Sequence, residues 1–121
     1  MSTDKINLND KLSLFDTHWD PKVVATYNSN DVMVAKFQGE FDFHKHDDDS
    51  DDFFLVIEGQ VTMDYAEHPS VTFGAGEMVI VPAGVIHRPR AEHEAKVLLI
   101  EPQGEPNSGD SDRPAATKDH I

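Results

Sequence analysis

Cysteine is absent from this chain of 121 residues, so neither disulfides nor thiolate chemistry can contribute to its fold or function. Basic residues are scarce. There are 10 lysines and arginines against 23 aspartates and glutamates, which gives a net charge of −13. A surface of this sign repels nucleic-acid backbones and anionic membranes, so we expect neither as a partner. The same acidity favours a mild attraction for cations.

Long apolar runs are also missing. No stretch approaches the roughly 20 apolar residues that a membrane-spanning helix needs. The opening MSTDKINLNDK lacks the apolar stretch of a signal peptide. Together with the lack of cysteine, these absences favour a cytoplasmic protein. The length suits one compact domain, and the 38% of hydrophobic residues is enough for one modest core.

Short apolar stretches, bounded by Gly, Asn, Asp or Pro, make up most of the chain after Pro21. The candidate strands are KVVATY, VMVAKF, FDFHKH, FFLVI, QVTMDY, EMVIVP, VIHRPR and KVLLIE. Strands this short, at such close spacing, indicate an antiparallel sandwich or barrel. We therefore predict one β domain, a sandwich or a barrel, over residues 21–102. A lead-in segment precedes it over residues 1–20, and a flexible polar tail follows it over residues 103–121.

The lead-in contains one predicted helical segment, within NLNDKLSLFDTHWDP. Its apolar residues recur every three to four positions, as on one face of a helix: Leu8, Leu12, Phe15 and Trp19. Asn9 or Asp10 is suited to cap the helix, and Pro21 should end it.

Two histidines and a cluster of aspartates meet in the segment FHKHDDDSDDFFLVI. His44 and His46 are two residues apart, so on a strand both imidazoles lie on one face. Asp51 and Asp52 stand at the start of the FFLVI strand, and His87 follows EMVIVPAGVI. Three histidines and one carboxylate are a donor set that suits Fe(II), Mn(II), Ni(II) or Zn(II).

Each of these features has an ordinary explanation when it is taken singly. A His-x-His pair often marks only a polar strand, and an aspartate-rich loop is usually a solvated surface loop. A single histidine after a turn is rarely a ligand. The joint spacing of the histidines and the acidic residue is what favours a metal site.

That joint spacing resembles the two sequence motifs of the cupin superfamily. The first motif is carried by Gly39, His44, His46, Asp52 and Gly59, and the second by Gly76, Pro82, Gly84 and His87. The segments VAKFQGEFDFHKHDD, FFLVIEGQVTM and LLIEPQGEPNSGD resemble the small single-domain bacterial cupins more closely still. The resemblance covers about residues 6–110 of the chain.

The resemblance implies an all-β fold, the double-stranded β-helix or jelly-roll barrel, with the short helical segment at its N-terminus. It also implies that His44, His46 and His87 are ligands of a divalent metal ion. The acidic ligand departs from the family pattern, because this chain has aspartate where glutamate is usual. We favour Asp52 over Asp51, since six residues separate Asp52 from Gly59. The shorter side chain predicts a weak or water-mediated ligand.

Two functions from different classes follow from the resemblance. One is a metal-dependent enzyme, of dioxygenase, isomerase or lyase type, acting on a small oxygen-rich molecule. The other is a non-catalytic cupin that binds or senses a metal or a small molecule. A purely structural barrel without metal is a third possibility. The sequence contains no Ser–His–acid arrangement, phosphate-binding glycine loop or redox dipeptide that indicates other chemistry.

The FFLVI strand is apolar on both faces, so a second layer should cover its outer side. We expect that layer to be a second copy of the chain, which predicts a homodimer. The alternative is that the lead-in segment, with Phe15 and Trp19, covers the outer side within one chain. The side chains predicted to face outward are Phe41, Phe43, Phe53, Leu55 and Ile57.

Overall fold

The structure, a computed structural model, describes residues 2–46 and 50–121. In that part of the chain one short helix precedes seven strands. They are α1 (Leu8–Leu12), β1 (Lys22–Tyr27), β2 (Asn30–Glu40), β3 (Asp52–Glu58), β4 (Gln60–Tyr65), β5 (Val71–Gly74), β6 (Met78–Val81) and β7 (His87–Pro102). No helix in the described ranges is long and apolar enough to cross a membrane.

The strands form an antiparallel barrel in which the 16-residue strand β7 joins two facing layers. Its C-terminal half lies between β2 and β3, in the strand order β1-β2-β7-β3-β6. Its N-terminal half pairs with β4, which in turn pairs with β5. This is the predicted double-stranded β-helix, and the all-β fold class is confirmed.

Alternate side chains of the strands fill the barrel. In one row across the sheet, Met33 of β2, Leu99 of β7 and Phe54 of β3 are register partners, and all three are buried. The next row continues with Ala35, Val97 and Val56. Since the side-chain period of a strand is two, this register also turns Asp52 and Glu101 into the interior, one row beyond Phe54. Both carboxylates are buried, with 2% exposure each.

The prediction of a separate strand over FDFHKH is wrong. The ladder of β2 ends at Glu40, and one bridge follows, in which His44 and His87 exchange two backbone hydrogen bonds of 2.9 Å. Residues 41–43 lie outside the ladder, and Phe41 and His44 are both buried although they are three residues apart. The prediction that Phe41 faces outward is therefore also wrong. Its side chain is 4% exposed and lies edge-on to the His44 ring, at 5.3 Å between centroids.

The lead-in forms a shorter helix than its apolar pattern predicts. Helix α1 ends at Leu12, and its cap is Asn7, not Asn9 or Asp10, because the Asn7 side chain accepts a hydrogen bond from the Asp10 amide. Beyond the helix, Trp19 stacks on Phe37 at 4.3 Å between ring centroids, and its indole N–H donates to the Gln38 carbonyl. The lead-in thus contributes an aromatic side chain to the barrel core.

Two further differences concern the strands themselves. The predicted strands VIHRPR and KVLLIE are parts of one continuous strand, β7, with no turn between them. Strand β5 has no counterpart among the predicted strands. It has only four residues and presents one buried apolar side chain, Phe73, which is too little for an alternating pattern.

Candidate metal centre

The four side chains predicted as metal ligands meet at one end of the barrel. His44 and His46 follow β2, Asp52 is the first residue of β3, and His87 is the first residue of β7. One ligand atom from each of them lies within 4.8 Å of those of the other three. All four residues are buried, and none is more than 6% exposed.

Backbone carbonyls fix the orientation of two of the histidines. Nδ1 of His44 lies 2.8 Å from the carbonyl oxygen of Asp42, and Nδ1 of His87 lies 2.8 Å from that of Val85. A carbonyl only accepts hydrogen bonds, so each Nδ1 carries the proton and donates it. In the neutral ring, Nε2 then keeps its lone pair. This tautomer is the one that a metal ligand needs.

The carboxylate of Asp52 reaches the middle of the site despite its shorter side chain. Its Oδ2 lies 2.8 Å from Nε2 of His46 and 3.3 Å from Nε2 of His87. The structure does not bring Asp51 into the site. Asp51 is exposed, and its Oδ1 instead accepts a hydrogen bond from the Ala83 amide at 2.8 Å. Residues 47–49, which complete the acidic loop between His46 and Asp52, lie outside the described residues.

These close contacts within the site are not aligned as hydrogen bonds. Nε2 of His46, Nε2 of His87 and both carboxylate oxygens of Asp52 are buried without a hydrogen-bond partner in the described chain. Burying polar atoms without partners costs about 1–3 kcal/mol each, so proteins rarely leave several of them together. Four atoms in this state around one point make a set of donors that a divalent cation can satisfy.

Burial and charge move the pKa values of these groups in opposite directions. Burial lowers the pKa of His44 to about 4, although its bond to the Asp42 carbonyl opposes the shift. Burial also acts to lower the pKa of His46, but the adjacent Asp52 carboxylate outweighs it and raises that pKa to about 9. The desolvation of the Asp52 carboxyl raises its own pKa, yet the close approach of the His46 and His87 rings outweighs burial and holds that pKa well below its usual range.

A small cavity of about 30 Å³ adjoins the site. Its walls are mainly apolar, and His44, Asp52 and Glu101 supply the ionisable groups. A water molecule needs about 10–15 Å³ measured in this way, so the cavity has room for about two waters. The apolar lining comes from Trp19, Pro21, Phe37, Phe41, Phe54, Pro89 and Leu99.

Two acidic residues of the site were not predicted from the sequence. Glu101 lines the cavity, where burial and the charge of Asp52 raise its pKa to about 8. In KVLLIE, Glu101 follows Val97 and Leu99 at every second position. This alternation was the only sequence feature that could have indicated a buried Glu101. Glu105 lies 3.0 Å from Nδ1 of His46 through its Oε1. It stands in the segment predicted to be a polar tail, so no pattern in the sequence marks it.

The comparisons with known proteins agree with this fold. Residues 31–101 match the cupin domain family. A crystal structure of a cupin-2 domain protein from Shewanella frigidimarina is 43% identical, with a TM-score of 0.77 over 81% of this chain and 94% of that one. The crystal structure of protein NMB1881 from Neisseria meningitidis is 32% identical, with a TM-score of 0.74 over 83% of this chain and 100% of that one. The uncharacterized protein YdbB of Bacillus subtilis is 32% identical over an alignment of 90 residues, and the match covers 66% of this chain and 79% of that protein.

The opposed pKa shifts give a direct test of the site in metal-free protein. We expect NMR titration of the imidazole carbons to place the midpoint of His46 near pH 9 and that of His44 near pH 4. Since the pKa of His46 is raised by folding, its contribution to stability is complete below about pH 6.5 and is lost as the pH rises through 9.

The variant Asp52→Asn keeps the burial but removes the charge. The midpoint of His46 should then fall well below pH 9, because only Glu101 and Glu105 are left to oppose the desolvation of the charged ring. Equal midpoints for His44 and His46 in the native protein would contradict the ion pair between His46 and Asp52.

Proposed function

The chain belongs to the cupin domain family, and on that premise we propose that His44, His46, Asp52 and His87 bind one divalent metal ion. We propose further that the protein acts at this centre on a small, oxygen-rich molecule. Iron, manganese, nickel and zinc all suit three imidazole nitrogens and one carboxylate.

The observation that carries the proposal is the set of buried donors without hydrogen-bond partners. The Nε2 atoms of His46 and His87 and both oxygens of Asp52 have none in the described residues. An ion placed between them removes the cost of burying these atoms. It also explains why a barrel with an otherwise apolar core keeps these three side chains together.

We propose that Asp52 coordinates the metal directly, not through water. Its Oδ2 already approaches the ring nitrogens of His46 and His87 to 2.8 Å and 3.3 Å. The loss of one methylene relative to glutamate therefore leaves the carboxylate within reach of the common point of the imidazoles. We therefore propose direct coordination by Asp52 in place of the weak or water-mediated ligand that its short side chain predicts.

The surroundings of the centre favour a ligand with an apolar body and oxygen donors. When bound, the metal would act as a Lewis acid that polarises an oxygen atom of such a molecule. Trp19, Phe37 and Phe54 line the cavity beside the centre, and they would contact the apolar part of such a molecule once these side chains move to admit it. Reactions of dioxygenase, isomerase and lyase type all fit this arrangement.

A second candidate function is binding or sensing without turnover, and the size of the cavity favours it. With about 30 Å³, the cavity holds an ion's waters but no organic molecule unless the side chains around it move. Thermal-shift screening of metal-loaded protein against small diketones, phenolic acids and sugar derivatives identifies ligands for either function. Conversion of a stabilising ligand, followed by mass spectrometry, indicates an enzyme, whereas a ligand recovered unchanged indicates a binding module.

We propose that a second copy of the chain covers the outer face of β3 and β6. On this face Phe53 is paired with Ile80, and Leu55 is paired with Met78. Ile80 is 45% exposed and Met78 is 61% exposed, so the row is not covered within one chain. The lead-in does not cover it, because helix α1 lies against β2. An exposed apolar face of this kind supports a homodimer.

The metal proposal predicts one ion per chain in protein purified without affinity nickel or chelator. Loss of a residue that only hydrogen-bonds to a metal ligand typically weakens metal binding by roughly 10- to 100-fold. Alanine at His44, His46 or His87 removes a ligand itself, so it should weaken metal binding by more than that. His68→Ala is the matched control, because His68 is exposed and is not among the residues that converge on the site. Competition titration with a chromophoric chelator measures each affinity. Full affinity in all three variants, or a loss only in the His68 variant, would place the metal elsewhere.

Binding should also release about one proton at pH 7, because His46 is protonated in the metal-free protein, with a pKa of about 9. The apparent affinity should therefore rise about tenfold per pH unit from pH 7 towards 9. Isothermal titration in buffers of different ionisation enthalpy measures the released proton. Binding without proton release would show that His46 is neutral before the metal arrives.

The dimer proposal predicts that sedimentation equilibrium gives twice the chain mass of 13.5 kDa. The double variant Met78→Lys with Ile80→Lys should sediment as a monomer, because two buried ammonium groups oppose association. Tyr27→Lys, at a residue of β1 that is 66% exposed, is the matched control and should remain a dimer. A monomeric native protein, or a double variant that stays dimeric, would reject this face as the interface.

A further inference from the structure

The segment predicted as a polar tail, residues 103–121, is tied to the barrel at both ends and is called here the C-terminal strap. Asp110 makes two bonds with Lys45, one from its backbone N–H to the Lys45 carbonyl and one from the Lys45 N–H to its side chain. At its far end the strap pairs with β1, where Val23 bonds with Asp119 and Ile121. Its route thus passes beside the segment that carries His44 and His46.

Glu105 of the strap contacts a residue of the metal centre directly. Its Oε1 lies 3.0 Å from Nδ1 of His46, and the two side chains are 11% and 3% exposed. A carboxylate only accepts hydrogen bonds, so Nδ1 of His46 is the donor. Nε2, on the opposite side of the ring, then faces Asp52 and the rest of the centre at 2.8 Å.

This partner differs in kind from those of the other two histidines. His44 and His87 each bond to a carbonyl only two residues earlier in the chain, so their local backbone orients them. The partner of His46 comes from 59 residues further along and carries a charge. Without Glu105, the described chain offers Nδ1 of His46 no other hydrogen-bond acceptor.

We propose that Glu105 is the positioning residue for His46, supplied to the metal centre by the C-terminal strap. By accepting the Nδ1 proton it fixes the ring so that Nε2 points to the metal, and its charge raises the basicity of that nitrogen. The inference rests on the proposed metal centre. It assigns the strap a part in completing the centre.

The surroundings of Glu105 support this role, because its backbone is fixed. The ammonium group of Lys118 donates to the carbonyl oxygen of Glu105 and lies 3.4 Å from Oε2 of the buried Glu101. Lys118 thus joins the strap to the end of β7. The strap also passes close to His44 at Gly109, where a Cβ atom would lie 2.8 Å from Cδ2 of the imidazole. A side chain at that position would push the strap away from both histidines.

Metal affinity of full-length variants tests the proposal, with Zn²⁺ as the probe and competition by a chromophoric chelator as the readout. Glu105→Ala removes the acceptor and should weaken binding by about 10- to 100-fold. Glu105→Gln keeps an acceptor oxygen and should restore part of that loss. Asp112→Ala is the matched control, since it removes one exposed carboxylate from the same strap and should leave affinity unchanged. Circular dichroism and melting of metal-free protein verify that each variant folds.

A second measurement on the native protein does not depend on any variant. In the Zn²⁺-loaded protein, long-range proton–nitrogen NMR should show His46 with a slowly exchanging proton on Nδ1 and the metal on Nε2. Metal on Nδ1 of His46, or equal affinities of Glu105→Ala and Asp112→Ala, would overturn the role of Glu105. Failure of the native protein to bind Zn²⁺, Fe²⁺, Mn²⁺ or Ni²⁺ would instead reject the metal centre itself.

Discussion

The burial of three imidazoles and one carboxylate around a single point is the constraint on which the rest of this structure depends. Polar atoms in a barrel interior are costly unless they find partners. Here the backbone satisfies one nitrogen of His44 and of His87, and Glu105 satisfies one nitrogen of His46. The opposite sides of the rings, together with Asp52, are left facing one another. The fold therefore supports the ligand atoms from outside and leaves their inner sides for an ion.

The barrel achieves this arrangement through the register of its strands. A strand presents every second side chain to the interior, so the rows that carry Phe54 and Leu99 continue directly into Asp52 and Glu101. The apolar core and the polar centre are consecutive rows of the same strands. This explains why an acidic cluster directly precedes an apolar strand in the sequence. The core rows continue directly into Asp52 and His87, which places these two candidate ligands on packed strands, as a preformed metal site would require.

Much of the site was predictable because its information is local or lies in fixed spacing. The two-residue spacing of His44 and His46, and the distance from Asp52 to Gly59, locate the ligand candidates from the sequence alone. The all-β class followed from the spacing of short apolar stretches in the same way. Register with the core then separates Asp52, which is buried, from Asp51, which is exposed.

The remaining features depend on contacts between distant parts of the chain, which a pattern of spacing does not contain. Phe41 and His44 are both buried although they are three residues apart, so the alternation of a strand breaks between them, beyond the end of β2. Glu105 reaches His46 because the C-terminal strap returns across the barrel, although its composition is that of a flexible tail. The mobility predicted for residues 103–121 stays a prediction. The cytoplasmic location also stays a prediction.

The central claim is that one metal ion lies among His44, His46, Asp52 and His87. Anomalous diffraction from a crystal of the protein loaded with Zn²⁺ tests it most directly, with data collected on both sides of the zinc absorption edge. The account predicts one strong anomalous peak per chain, at about 2.0–2.2 Å from Nε2 of each histidine and from a carboxylate oxygen of Asp52. A fully loaded crystal with no peak at this point, or with its only peak on the acidic loop, would contradict the account.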